Sequence, residues 1–366
     1  MSFVKRPRAG VLASALALAL ASCASRPPPP AITPDEARAT IDRSLPQGVA
    51  DRTGWVQDIQ GAFSALGLEP TRENVCAVAA VTAQESGFRV DPVVPDLGSL
   101  AWREIDRRAE HAGIPVGLVH EVLKLDSPTG RSYGDRIEHA RTEKELSDIF
   151  EDFTGSVPLG RSLFASWNPI RTRGPMQVNV AFADRFAATH KYPYPLTTSI
   201  DDELFTRRGS VYFGTAHLLA YTAPYDRFLY RFADFNAGQY SSRNAAFQQA
   251  LGRVSGKALT ADGALLPHDG PGTIGHTELA ARSAAARLGL DDGAIHAALE
   301  EGRSAEFEAT ALYRGVYRLA EQQAHRALPR AVLPQITLEG PKIERRLTTE
   351  WYARRVDGRF HSCLAR

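Results

Sequence analysis

The segment "NVCAVAAVTAQESGFRVDP", residues 74 to 92, constrains the fold more than any other part of the chain. Its first part is small and apolar on nearly every side, the composition of a helix packed inside a protein. Thr71 stands where an N-cap belongs. Val78, Val81 and Glu85 fall on one stripe, because at about 3.6 residues per turn positions separated by four and seven share a face. A chain with this helix must build a core around it and must also give a use to a carboxyl group at its end.

The rest of the sequence supplies helices for that core. "TEKELSDIFEDF" carries the capping-box spacing Thr142-x-x-Glu145 ahead of Leu146, Ile149, Phe150 and Phe153. "DDELFTRRGSVYFGTAHLLAYTA" and "YDRFLYRFADFNAG" read as two periodic segments separated by Pro224. "HTELAARSAAARLGL", "DDGAIHAALEEG" and "SAEFEATALYRGVYRLAEQQAHRAL" continue the pattern toward the C-terminus. "SGKALTADGALLPHDGPGT" is a Gly- and Pro-rich loop. Strand alternation is scarce and no repeat is present, so the expected class is mainly α.

The N-terminus is of another kind. Lys5, Arg6 and Arg8 precede a short apolar run, which fits a secretory leader over residues 1–22 and is too short to span a bilayer. Leu20-Ala21-Ser22-Cys23 resembles the lipobox of bacterial lipoproteins, which implies lipidation of Cys23. Ala24 in the next position favours the outer membrane over the inner one. Residues 23–50 then hold four consecutive prolines, an extended tether between anchor and body. The expected placement is an outer-membrane lipoprotein facing the periplasm, with the cell surface as the other face open to it.

Lys and Arg total 43 against 42 Asp and Glu, and loss of the leader removes only basic residues. A near-neutral chain offers no electrostatic footprint for nucleic acid. Export into an oxidising compartment makes Cys76–Cys363 a candidate disulfide, two free thiols being the alternative. No cofactor is implied. "HEVLK" at His120–Lys124 lacks the second His of a zinc motif, and no metal site is expected.

Three short pieces remain: "QESGF" with Glu85 and Ser86, "RGPMQVN" with Gly174, Met176 and Gln177, and "ADFNAGQY" with Asn236, Ala237 and Gly238. In this order they resemble the E-S, G-L-M-Q and A-Y-N-A-G motifs of the soluble lytic transglycosylases, which have the goose-type lysozyme fold. The whole chain is also similar to the YaiW-type envelope lipoproteins. The first resemblance covers residues 71–90 and 165–250. It implies a lysozyme-like domain over 51–260 with a helical insertion at 92–165, followed by a helical C-terminal extension over 261–366.

It further implies cleavage of the MurNAc–GlcNAc bond of peptidoglycan with Glu85 as sole acid and base. Ser86 would orient Glu85 or the substrate, while Gly174, Met176, Gln177, Asn236, Ala237 and Gly238 would line the glycan groove. For Met176 and Phe235 plain core packing is the competing reading. One carboxyl suffices where the sugar's own 6-hydroxyl attacks the anomeric carbon, whereas most glycosidases need two. The alternative is a non-catalytic lysozyme-fold lipoprotein that binds glycan, peptide or an envelope protein partner in the same groove. Two departures bear on the choice: Phe235 replaces the motif's Tyr and Pro175 its Leu, and Tyr240 is a candidate source of the missing hydroxyl.

Overall fold

The computed structural model describes residues 1–2, 32–156, 168, 170–267, 273–338 and 345–366. The leader, Cys23, the four prolines and the end of the expected insertion lie outside the described residues. The later part of the expected tether is instead folded: the helix Pro34–Ser44 buries Ile41 in a hydrophobic core, because its apolar residues have a face to pack against. Local sequence rules account for most of the helices. Thr71 caps the helix Arg72–Glu85, its Oγ1 accepting from Asn74 N at 3.2 Å. Thr142 and Glu145 form the anticipated box: Thr142 Oγ1 accepts from Glu145 N at 3.3 Å, and Glu145 Oε2 accepts from Thr142 N at 3.2 Å. It opens the helix Glu143–Ser156.

Segments that read as continuous are divided by caps. "DDELFTRRGSVYFGTAHLL" breaks at Thr206, whose hydroxyl accepts from Gly209 N and starts the helix Arg207–Leu219 after the short turn Ile200–Glu203. Thr310 likewise separates a 3₁₀ turn, Ala305–Ala309, from the helix Ala311–Ala324. In both places a hydroxyl that satisfies a helix-start N–H outweighs hydrophobic continuity. The described strands are two antiparallel two-stranded pairs, Thr172–Arg173 with Val178–Asn179 and Thr337–Leu338 with Leu347–Thr348.

The chain from Pro34 to Arg366 forms one compact unit around three cores. The first surrounds the helix Arg72–Glu85, whose residues Val75 to Thr82 are all buried. The second joins the helix Ser241–Ser255 to Leu299, Phe307, Leu312 and Val316. The third is small and lies within the expected insertion, around Leu97, Tyr133, Ile137, Leu146 and Ile149. Near its entry Val94 N donates to Arg141 O at 2.9 Å, which ties the start of this segment to the residues just before the helix Glu143–Ser156.

The expected extension is not a single piece. Its middle builds the second core, but the last helix, Thr349–Leu364, returns to the first and places Tyr352, Val356, Phe360 and Cys363 there. Cys76 and Cys363 form a disulfide with Cα atoms 5.6 Å apart. It links the start of the Arg72–Glu85 helix to the end of the terminal helix, so the two run antiparallel and Glu85 meets the start of the terminal helix.

Candidate active site

Glu85 is the last residue of its helix. Gly87 and Phe88 follow with φ of 60° and 63°, a left-handed pair that turns the chain sharply away. The Phe88 ring, 5.1 Å from that of Trp55, anchors this reversal in the core. No further helical turn covers Glu85, and its carboxyl opens onto a cleft of about 1620 Å³. Ser86 does not point there. It is buried, and its Oγ donates back to Thr82 O at 3.3 Å, so it ends the helix instead of orienting Glu85.

The second piece forms the bend of the first strand pair. Gln177 N donates to Gly174 O at 2.9 Å, which closes a β-turn with Pro175 in the position where proline's fixed φ is favourable. The departure from Leu at this site is therefore compatible with the loop. Gly174 has φ +71°, and a Cβ there would lie 1.9 Å from Leu204 O, so no other residue fits. Met176 is completely buried with its N–H donating to Ser210 Oγ at 3.0 Å. Gly174 and Met176 thus seat the turn on the core, and of this motif it is Gln177 that lines the cleft. Its amide is held on both sides: Oε1 accepts from Thr172 Oγ1 at 2.8 Å, and Nε2 donates to Glu143 Oε2 at 2.9 Å.

Asn236, Ala237 and Gly238 line the same cleft. They end the helix Phe228–Ala237, with Gly238 at φ 110°. The turn beyond is gathered by fully buried Asp234. Its carboxylate accepts from Tyr240 N at 2.9 Å, Ser242 N at 2.6 Å, Tyr225 Oη at 2.7 Å and Tyr221 Oη at 3.1 Å. Burial still pushes its pKa up, to about 6. Tyr240 is used in this packing, its ring 4.2 Å from the Arg243 guanidinium, and it does not reach Glu85.

The hydroxyl beside Glu85 comes from the terminal helix. Tyr352 Oη donates to Glu85 Oε1 across 267 residues of sequence. One turn earlier on the same face, buried Thr349 donates through Oγ1 to Asn236 Oδ1 at 2.8 Å. The Asn236 NH₂ has no protein partner among the described residues. A single helix therefore steadies both the acid and the amide opposite it. Neither residue belongs to the three motifs. The one sequence clue was the cysteine pair: in antiparallel helices Tyr352 lies about three turns from Cys363, much as Glu85 lies two to three turns from Cys76.

Glu85 is half-buried by area, yet its carboxyl is crowded by protein, and this loss of water raises its pKa to about 7. The Tyr352 hydrogen bond pulls it down in part, and the charge of Glu143, from the inserted helix, pushes it up. His217, a further cleft residue, stacks on Phe182 at 4.4 Å and lies 5.0 Å from the Phe235 ring. Burial, with a smaller effect of Arg185, lowers its pKa to about 4, so the imidazole is neutral near pH 7 and belongs to an aromatic wall. Among the described residues no group of three His, Cys, Asp or Glu could hold a metal, and no helix is long and apolar enough to cross a membrane.

A protein family described as "Protein of unknown function (DUF1615)" matches residues 48–366. A protein of Escherichia coli (strain K12) described as "Uncharacterized protein YaiW" is 50% identical over 350 residues, 95% of either chain. No solved structure matches the chain.

Proposed function

Starting from a chain that belongs to the DUF1615 family, we propose that it cleaves peptidoglycan strands by lytic transglycosylation on a lysozyme-like scaffold, with Glu85 as the only acid and base. The observation that carries this reading is the meeting of Glu85, Gln177 and Asn236–Gly238, distant in sequence, on one cleft with the acid's pKa near 7. Glu85 gives its proton to the oxygen leaving MurNAc C1 as that bond breaks. The 6-hydroxyl of the same sugar attacks C1, and its proton passes to the Glu85 carboxylate, which restores the acid and leaves a 1,6-anhydro end. A group with pKa near the working pH serves both halves of this cycle. Tyr352 supplies a hydroxyl at the acid where Phe235 has none.

The lipobox at Cys23 and the tether would place this body at the outer membrane, facing the periplasmic cell wall. Phe235 favours a second reading, binding of glycan, peptide or an envelope partner without cleavage. A digest of purified sacculi decides between them. Anhydro-muropeptides released by wild type and absent with Glu85→Gln are the expected result. Folded wild-type protein that binds sacculi and releases none overturns the enzymatic reading.

A further inference from the structure

The cleft continues well past the acid. At about 1620 Å³ it exceeds the range of about 300–1,000 Å³ usual for a single small ligand. Beyond Asn236 its walls come from Thr260–Pro267, Leu299–Arg303 and Gln335–Thr337, where three charged residues, Asp262, Glu300 and Arg303, stand among mostly apolar ones, and Asp262 already accepts from Gln248 Nε2 at 2.8 Å. Arg303 and Glu300 stand on the same wall without pairing to each other. Glu300 has only a long contact to His296, 3.8 Å, and the Arg303 guanidinium has no hydrogen bond or ion pair among the described residues.

The backbone that presents Arg303 is held from beneath. Fully buried Arg243 donates to Gly302 O at 2.8 Å and to Ser304 O at 2.7 Å, the two carbonyls flanking Arg303. Asn244 Nδ2 adds a second bond to Gly302 O at 2.9 Å. Burying a guanidinium is costly and requires such partners. The result is a fixed backbone that presents Arg303, exposed and with no ion pair among the described residues, on the wall of the cleft. A planar fork of this kind suits a carboxylate, and Glu300 beside it suits an ammonium group.

We propose that this arm of the cleft is a subsite for the short peptides that branch from peptidoglycan glycan, with Arg303 binding a peptide carboxylate and Glu300 an amine. The proposal rests on the reading of the cleft as a glycan site. Its test measures binding of the Glu85→Gln protein, which cannot consume its ligand, to soluble strands that keep their peptides and to the same strands stripped of them. Peptide-bearing strands should bind about tenfold more tightly, the scale of one charge-assisted hydrogen bond. Arg303→Ala should abolish that preference without changing affinity for stripped strands, and Arg303→Lys should restore part of it. Equal binding of both strands by the Glu85→Gln protein, or an equal loss on both in Arg303→Ala, overturns the subsite alone. Binding of neither strand overturns the glycan reading and the subsite with it.

Discussion

Replacing Glu85 by Gln should make the protein more stable at high pH, in a measurement that needs no substrate. A carboxyl whose pKa rises from 4.5 to about 7 on folding holds its proton more tightly in the native state. Between these values the native protein binds more protons than the unfolded chain, so stability is highest below the unfolded pKa and falls as pH rises through the folded one. At about 1.4 kcal/mol for each tenfold in proton affinity, the ionised group costs about 3 kcal/mol at pH 8, an upper figure because the cleft admits water. Gln keeps the size of the side chain and an acceptor for Tyr352 but cannot ionise. With an unfolding entropy of about 2.1 cal/mol/K per residue over Pro34–Arg366, this amounts to about 4 °C in Tm. Thermal unfolding of both oxidised proteins at about pH 4 and about pH 8 isolates the effect, because Asp234 and His217 titrate in both and cancel. The advantage of Glu85→Gln should grow by about that amount from the lower to the higher pH. An equal difference at the two pH values refutes the assignment of a raised pKa to Glu85.

The neighbours of Glu85 should move its titration in opposite directions, read by carbon-detected NMR of the carboxyl. Tyr352→Phe removes a hydrogen bond to the charged form and should raise the pKa above about 7, while Glu143→Gln removes a like charge and should lower it. Cys363→Ser should cost about 2–5 kcal/mol and lower Tm, and reductant should bring wild type down to the variant's value without affecting the variant. Asp234→Asn leaves the Tyr240 and Ser242 amides competing for one acceptor, and thermal unfolding should show a loss of about 2–3 kcal/mol, with glycan binding reduced as the Gly238 turn loosens.

What the sequence determined by itself was local. The caps at Thr71 and Thr142, the helical character and the end of a buried helix at Glu85 follow from hydrogen-bond needs within a few residues. The three motif pieces were also legible as strings, but not the division of labour within them. Ser86, Gly174 and Met176 seat the backbone, and Glu85, Gln177 and Asn236–Gly238 face the cleft. Tertiary structure alone decided which distant elements complete the site. Tyr352 and Thr349 sit on an ordinary amphipathic helix, and the pattern of such a helix shows that it packs but not against what. Glu143 is an unremarkable first-turn acid until the inserted core brings it to Gln177. The cysteines offered the one long-range constraint, since a covalent bond between two helices fixes the register that hydrophobic burial, being non-directional, leaves open.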